Sequence, residues 1–108
     1  MEEKILYHQG EGPKLLSKTK VTSGKIVIQK KSVRFISEDG EIYLNYKDIT
    51  SCKLLSHIGG WYVEVRTRKT TINFCVSRVN FANLIIVPNA SKTKKVFNEI
   101  EEQLTRTS

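Results

Sequence analysis

The sequence predicts a mainly β protein, a small antiparallel barrel closed by one C-terminal α-helix. Three observations lead to this fold class. Apolar residues alternate with polar ones in a series of short segments, tight-turn residues separate these segments, and the last segment changes to a helical period. A chain of 108 residues has the size of one domain, and we expect a single domain over residues 1–108.

The N-terminal residues, 1–23, show the alternation least clearly, and we expect them to form a less regular lead-in. Ile5, Leu6 and Tyr7 make a short apolar patch, after which glycine and proline interrupt the chain. An extended lead-in strand is predicted over residues 14–21.

Residues 24–55 open the regular part of the fold. Ile26 and Ile28 follow the two-residue period of a half-buried strand, and Lys30-Lys31 makes the turn after it. Glu38-Asp39-Gly40 predicts a second hairpin turn, because Asp-Gly supplies the positive φ that tight turns need. The strands predicted after the first one cover residues 32–36, 42–46 and 50–55.

The C-terminal half continues this pattern and then changes period. Strands are predicted over residues 61–68, 72–76 and 84–87, with an irregular stretch over residues 77–83. Pro88 ends the last strand, and Asn89 or Ser91 caps a helix. The apolar stripe of this helix consists of Val96, Phe97, Ile100 and Leu104.

The chain is basic, with 18 Lys and Arg against 11 Asp and Glu and a formal net charge of +7. This balance favours anionic partners such as phospholipid headgroups, nucleic acid or an acidic protein surface, and a solvated lysine-rich surface is the alternative. No apolar run approaches the ~20 residues that span a bilayer, and the N-terminus does not resemble a secretory signal. We therefore expect a cytoplasmic protein, with a position peripheral to the membrane as a variant.

The two cysteines, Cys52 and Cys75, occur in no CxxC motif and at no metal-ligand spacing, so neither a metal nor another cofactor is expected. Both are predicted to be small buried side chains in strands, and a disulfide between them would require an oxidising compartment. Asp48 and Glu64 are isolated carboxylates, and no acid, base and nucleophile converge in the pattern. We expect no enzyme.

Three segments carry a resemblance to a known family. Residues 24–29 (GKIVIQ), 32–36 (SVRFI) and 42–51 (IYLNYKDITS) are followed by the C-terminal helix. Together they resemble the first strands of a pleckstrin-homology-like (PH-like) domain of the GRAM or bacterial type, over about residues 24–105. The resemblance implies two nearly orthogonal antiparallel sheets of about seven strands, capped by the C-terminal helix.

The resemblance also implies a binding surface. In PH-like domains that bind phosphoinositides, lysine and arginine side chains on the loop between the first two strands hold the phosphates, and arginine can do so bidentately. By this likeness, the candidate anion- or phospholipid-binding residues are Lys30, Lys31, Arg34, Lys53, Arg66 and Arg68. An ordinary soluble turn is the alternative for Lys30-Lys31.

The loop over residues 56–60 is a second candidate, as a contact with a partner or a membrane, through His57, Ile58 and Trp61. The alternative is that Trp61 covers one end of the barrel and that the glycines only turn the chain.

We therefore expect a non-catalytic PH-like binding module that binds an unidentified protein or anionic lipid headgroups. Its edge strands also make a homo-oligomer plausible. The alternative is a small basic barrel that binds single-stranded nucleic acid, with Tyr43, Tyr62 and Arg66 as the stacking and cationic groups.

Overall fold

The computed structural model describes residues 1–10, 21–57, 60–81 and 85–107. Within these residues the elements are β1 (Glu2–Gln9), β2 (Thr22–Ile28), β3 (Ser32–Ser37), β4 (Gly40–Asn45), a 3₁₀ helix (Tyr46–Asp48), β5 (Ile49–His57), β6 (Gly60–Thr67), β7 (Thr71–Cys75), β8 (Ser77–Phe81), β9 (Ile85–Pro88) and α1 (Ala90–Thr107). Seven strands form one antiparallel sheet in the order β4-β3-β2-β1-β7-β6-β5, which curls into a half-barrel. The predicted mainly β architecture with a C-terminal helix is confirmed.

The N-terminal strand corrects the expectation of an irregular lead-in. Residues Glu2–Gln9 form β1, the central strand of the sheet, which pairs with β2 on one side and with β7 on the other. The segment that begins at Gly24 is therefore in the second strand and does not open the sheet. Most of the lead-in strand predicted over residues 14–21 lies outside the described residues.

The reason for this error is that β1 is covered on both faces. Ile5 and Tyr7 point into the main core, whereas Leu6 between them packs into a second apolar cluster on the opposite face. Three consecutive apolar residues therefore replace the alternation that marks a strand with one wet face.

The two predicted hairpin turns are confirmed. The Gln29 N–H donates to the Ser32 oxygen at 2.9 Å across Lys30-Lys31. Ser37 pairs with Gly40 across the second turn, and Gly40 has φ +141°. Two-residue turns of this kind fix the register of both hairpins.

The segment between β7 and the helix also differs from the prediction. Residues Ser77–Phe81, expected to be irregular, form β8, and Ile85–Pro88 form β9. These two strands pair with each other as a separate hairpin. The main sheet therefore has seven strands because it includes β1, whereas the strand predicted over residues 84–87 belongs to the small sheet.

The main core lies inside the half-barrel and beneath the helix. Phe35 is fully buried at its centre, and its ring lies 5.6 Å from the rings of both Tyr7 and Phe74, measured between centroids. Tilted aromatic pairs at this distance are favourable. The predicted helix stripe packs on this core: Val96 and Ile100 are buried, and Phe97 and Leu104 are partly buried against it.

The helix begins at a cap that also joins it to the sheet. The Asn89 side chain accepts a hydrogen bond from the Lys92 N–H at 3.1 Å, which confirms Asn89 as the N-cap. The Asn89 N–H donates to the Val76 oxygen, and the Val76 N–H donates to the buried hydroxyl of Thr93 at 3.1 Å. Both backbone groups of Val76 are thus satisfied by the start of the helix, which fixes where α1 crosses the sheet.

Candidate functional site

Three exposed lysines lie near one end of the β2–β3 hairpin. Lys30 and Lys31 form its turn, and both are exposed. The Tyr46 N–H donates to the Lys31 oxygen at 3.2 Å, and its hydroxyl donates to the Gln29 oxygen at 2.6 Å. These bonds hold the 3₁₀ helix, and with it the exposed Lys47, beside the turn. Lys47 was missing from the predicted set because its proximity depends on this long-range contact.

Arg34 is in the same hairpin but is already paired. Its Nε forms an ion pair with Glu41 on the adjacent strand. The guanidinium lowers the pKa of the Glu41 carboxyl, and the carboxylate raises the pKa of Arg34. A phosphate that binds Arg34 would have to compete with Glu41.

The remaining predicted cations lie on the other half of the sheet. Arg66 forms an ion pair with Glu64 on β6, with 2.8 Å between Nε and Oε1, and Lys53 stands opposite Glu64 in the register of β5 and β6. Arg68 is exposed in the turn after β6. The six predicted residues therefore divide between two surfaces, and two of them already bind carboxylates.

The predicted partner loop is described only in part. His57 is the last residue of β5, and Ile58 lies outside the described residues. Trp61 is half-buried at the start of β6, and Lys94 of the helix places its Nζ 4.8 Å from the ring centroid. This cation–π contact holds the Trp61 side chain against α1.

A groove that the sequence did not indicate lies between the edge strand β5 and the end of the helix. Its volume is about 580 Å³, within the range of ligand-binding clefts. The groove is lined by Tyr46, Lys47, Ile49, Thr50, Ser51, Cys52, Leu104, Thr105 and Thr107. No local signal predicts it, because it depends on where helix residues more than 50 positions later in the sequence meet this strand.

β5, which lines this groove, is an edge strand of the main sheet. β5 is the last strand of the main sheet, so among the described residues no strand pairs with its outer side. The Thr67 N–H donates to the Thr70 oxygen, so these two residues form a hydrogen-bonded pair. By alternation along β6, the backbone N–H and C=O groups of residues 63, 65 and 67 point toward β7, and those of residues 62, 64 and 66 point toward β5. On β5 the partners of residues 62, 64 and 66 are residues 55, 53 and 51, which form the hydrogen-bonded pairs with β6. The residues between them, Cys52, Leu54 and Ser56, therefore point their N–H and C=O groups away from β6.

Two further features mark this edge. A bulge at Thr50 shifts the register between Ile49 and Ser51, and the Thr50 hydroxyl donates to the Arg66 oxygen at 3.2 Å. The Ser51 hydroxyl is buried in the groove and has no hydrogen-bond partner among the described residues. Bulges in edge strands commonly lie next to functional sites.

The aromatic residues give little support to a stacking surface for bases. Tyr62, one of the predicted platform residues, is only 9% exposed and packs with Cys75, Leu6 and Leu55 in the second apolar cluster. Tyr43 is 58% exposed.

The two cysteines are free thiols. Cys52 lies against the main core, and Cys75 lies in the second cluster on the opposite face of the sheet. β6 separates their strands, and Cys75 lies three residues along β7 from Ile72, which is in line with Cys52. The Cα atoms are therefore on the order of 14 Å apart, beyond the span of a disulfide. Burial raises the pKa of each thiol to about 12, which makes both poor nucleophiles.

Within the described residues, no group of three or more His, Cys, Asp or Glu side chains is placed to hold a metal ion. The one helix described is too polar to cross a bilayer. No protein-family model matches the chain, and no curated protein matches it.

Proposed function

We propose that the chain is a non-catalytic, PH-like binding module that binds an extended segment of another protein along β5. The observation that carries this proposal is the coincidence of an edge strand, on whose outer side no described strand pairs, with a groove of about 580 Å³ at the end of α1. Addition of a strand to a sheet edge gives affinity through backbone hydrogen bonds, and side-chain pockets beside the edge give specificity. The PH-like arrangement of two orthogonal sheets is part of this proposal, as is a cytoplasmic location.

The groove suits one side chain of such a segment. Ile49 and Cys52 on β5 and Leu104 on α1 give it an apolar floor, and the unpartnered Ser51 hydroxyl adds a polar group. A bound strand would form its backbone hydrogen bonds with Cys52, Leu54 and Ser56. We therefore expect a ligand to place one apolar side chain in the groove and to continue as an extended strand along β5.

A variant that fills the groove tests this proposal. Peptides would be selected from a random displayed library against the intact chain, and their affinities measured by calorimetry. We expect Thr105→Arg, which projects a long side chain into the groove, to weaken binding at least about tenfold. Asn98→Arg is the control, because it makes the same charge change at an exposed position of the same helix outside the groove. Equal affinity for the Thr105→Arg and Asn98→Arg proteins would exclude the groove as the site.

A second candidate function is attachment to anionic membranes, which the three lysines of the hairpin end favour. Lys30 and Lys31 are exposed, and Lys47 is held beside them through the Tyr46–Lys31 bond. A lysine near an anionic surface contributes about 1 kcal/mol to binding. Lys30 and Lys31 lie outside the β5 groove, whereas Lys47 also lines it.

Co-sedimentation with vesicles tests the membrane function. We expect binding to rise with phosphatidylserine content, up to about 40%, and to fall with added salt. Lys30→Glu/Lys31→Glu should weaken it about 30-fold or more, whereas Lys92→Glu/Lys95→Glu, an identical charge change on exposed helix residues, should have a smaller effect. Equal losses in both double variants would show that only the net charge matters. Binding of a single-stranded oligonucleotide with a steep salt dependence would favour the nucleic-acid alternative instead.

A further inference from the structure

The edge strand at the other end of the main sheet is β4. β4 is the first strand in the sheet order, so among the described strands only β3 pairs with it. The Tyr46 N–H bond to the Lys31 oxygen continues the β3–β4 ladder and shows which pairs are hydrogen-bonded. By alternation, Glu41, Tyr43 and Asn45 point their N–H and C=O groups away from β3, toward the open edge.

This edge lacks three devices that commonly prevent strand association, namely lysine, proline and a bulge. Natural edge strands carry lysine, proline or a bulge. β4 has the sequence GEIYLN, and its register with β3 runs from Gly40 to Asn45 without a shift.

The side chains along β4 also carry no net charge that would repel a second copy of the same strand. Tyr43 is 58% exposed, and the one other exposed large apolar side chain among the described residues is Met1. Glu41 beside it is neutralised by Arg34. This edge therefore has no local charge excess, although the chain as a whole carries +7.

We propose that β4 is a self-association edge, which pairs in antiparallel fashion with β4 of a second copy of this chain across a two-fold axis at Tyr43. An antiparallel pair of this kind is isologous, so each copy contributes the same residues. With Tyr43 opposite Tyr43 of the second copy, Glu41 faces Asn45 of that copy. The three outward-pointing residues of each strand then all form hydrogen-bonded pairs.

Charge complementarity favours this register and this partner. The same pairing brings Asp39, just before β4, toward Lys47 of the second copy, just after its β4, and does so at both ends of the contact. The Asn45 carboxamide oxygen already accepts the Lys47 N–H, which leaves its NH₂ group to donate to Glu41 of the second copy. The two tyrosines form a cross-strand aromatic pair at the centre.

The first test is the dependence of mass on concentration, by sedimentation equilibrium from about 10 µM to 1 mM. We expect the wild-type chain to form dimers and Tyr43→Lys to raise the dissociation constant at least about tenfold, because it places two like charges opposite each other. Ser56→Lys, the same new charge at an exposed, outward-pointing position of β5, should leave the dimer unchanged. A wild-type chain that stays monomeric, or a dimer that both variants weaken equally, overturns the proposal.

A cross-link tests the register without relying on a lost contact. Facing residues of a hydrogen-bonded antiparallel pair have Cα atoms about 5.5 Å apart, which a disulfide can span. Tyr43→Cys should therefore form a disulfide-linked dimer under mild oxidation, whereas Ser56→Cys should not. Cys75 is buried and Cys52 is partly buried, and the pKa of each thiol is raised to about 12, so we do not expect either to compete in the oxidation. Absence of the Tyr43→Cys cross-link in a variant with wild-type circular dichroism, or its equal formation by Ser56→Cys, overturns the register.

Discussion

The substitution Gly24→Ala is expected to lower the free energy of unfolding more than a Gly→Ala substitution at any other described glycine. A Cβ at this position would lie 2.2 Å from the Ile36 backbone oxygen and 3.1 Å from Cε1 of Tyr7. The first contact is with the backbone of the adjacent strand, so no side-chain rotation relieves it. Overpacking of a core commonly costs about 1–3 kcal/mol, and we expect a loss at or above the upper end of that range.

Gly40→Ala is the matched control for Gly24→Ala, because it adds the same methyl group where there is space. Nothing lies within 4 Å of a Cβ at Gly40, but its φ of +141° is a backbone conformation that alanine rarely adopts. Backbone strain of this kind costs on the order of 1–3 kcal/mol. Urea titrations would give the free energy of unfolding of both variants. A smaller loss for Gly24→Ala than for Gly40→Ala would contradict the close approach of β2 and β3.

These two glycines illustrate what the sequence can and cannot predict about the fold. Asp39-Gly40 predicts a hairpin turn from local chemistry alone, and the turn is confirmed. Gly24 is needed because Ile36 approaches it from the adjacent strand, and such a contact appears only once the register is known. β1 was not predicted for a similar reason, since the residues that cover its two faces, such as Phe35 on one and Tyr62 on the other, are distant in sequence.

The candidate site shows the same division. The pairing of Arg34 with Glu41 follows from the hairpin register, because residues 34 and 41 are diagonal neighbours once Ser37 is opposite Gly40. Glu64 and Arg66 share one face of β6 by their spacing of two. Both ion pairs could therefore have been predicted with the strands. The β5 groove could not, because Cys52 and Leu104 meet only through the crossing of α1.

Alkaline pH is expected to destabilise the protein, because the folded chain holds the protons of its two thiols more tightly than the unfolded chain does. Burial raises the pKa of Cys52 and of Cys75 from the ordinary value of 9.0 to about 12, and the nearby Glu101 adds to the effect at Cys52. Burial, with a smaller contribution from Glu99, likewise raises the pKa of Tyr46 to about 12. The folded chain thus keeps these protons over a range in which the unfolded chain releases them.

The sign of the pH dependence follows from this difference. Above pH 9 the unfolded state binds fewer protons than the folded state, so the free energy of unfolding falls as pH rises. The stabilisation is complete below the unfolded pKa and is lost progressively toward the folded pKa of about 12. Each thiol removes up to about 1.4 kcal/mol per pH unit in this window. Two thiols acting over two pH units would therefore remove an amount comparable with the whole stability of a marginal domain.

Urea titrations at several pH values from 8 to 11 would measure this slope, with Cys52→Ala/Cys75→Ala as the comparison. All other ionisable groups are common to both proteins, so the difference between their slopes isolates the thiols. We expect the double variant to be less stable at pH 8, because each replacement leaves a small cavity, but to lose stability less steeply above pH 9. Equal slopes would mean that the thiols titrate normally in the folded chain. In that case both cysteines should also react rapidly with iodoacetamide in native buffer at pH 8, whereas buried thiols become reactive only when urea unfolds the sheet.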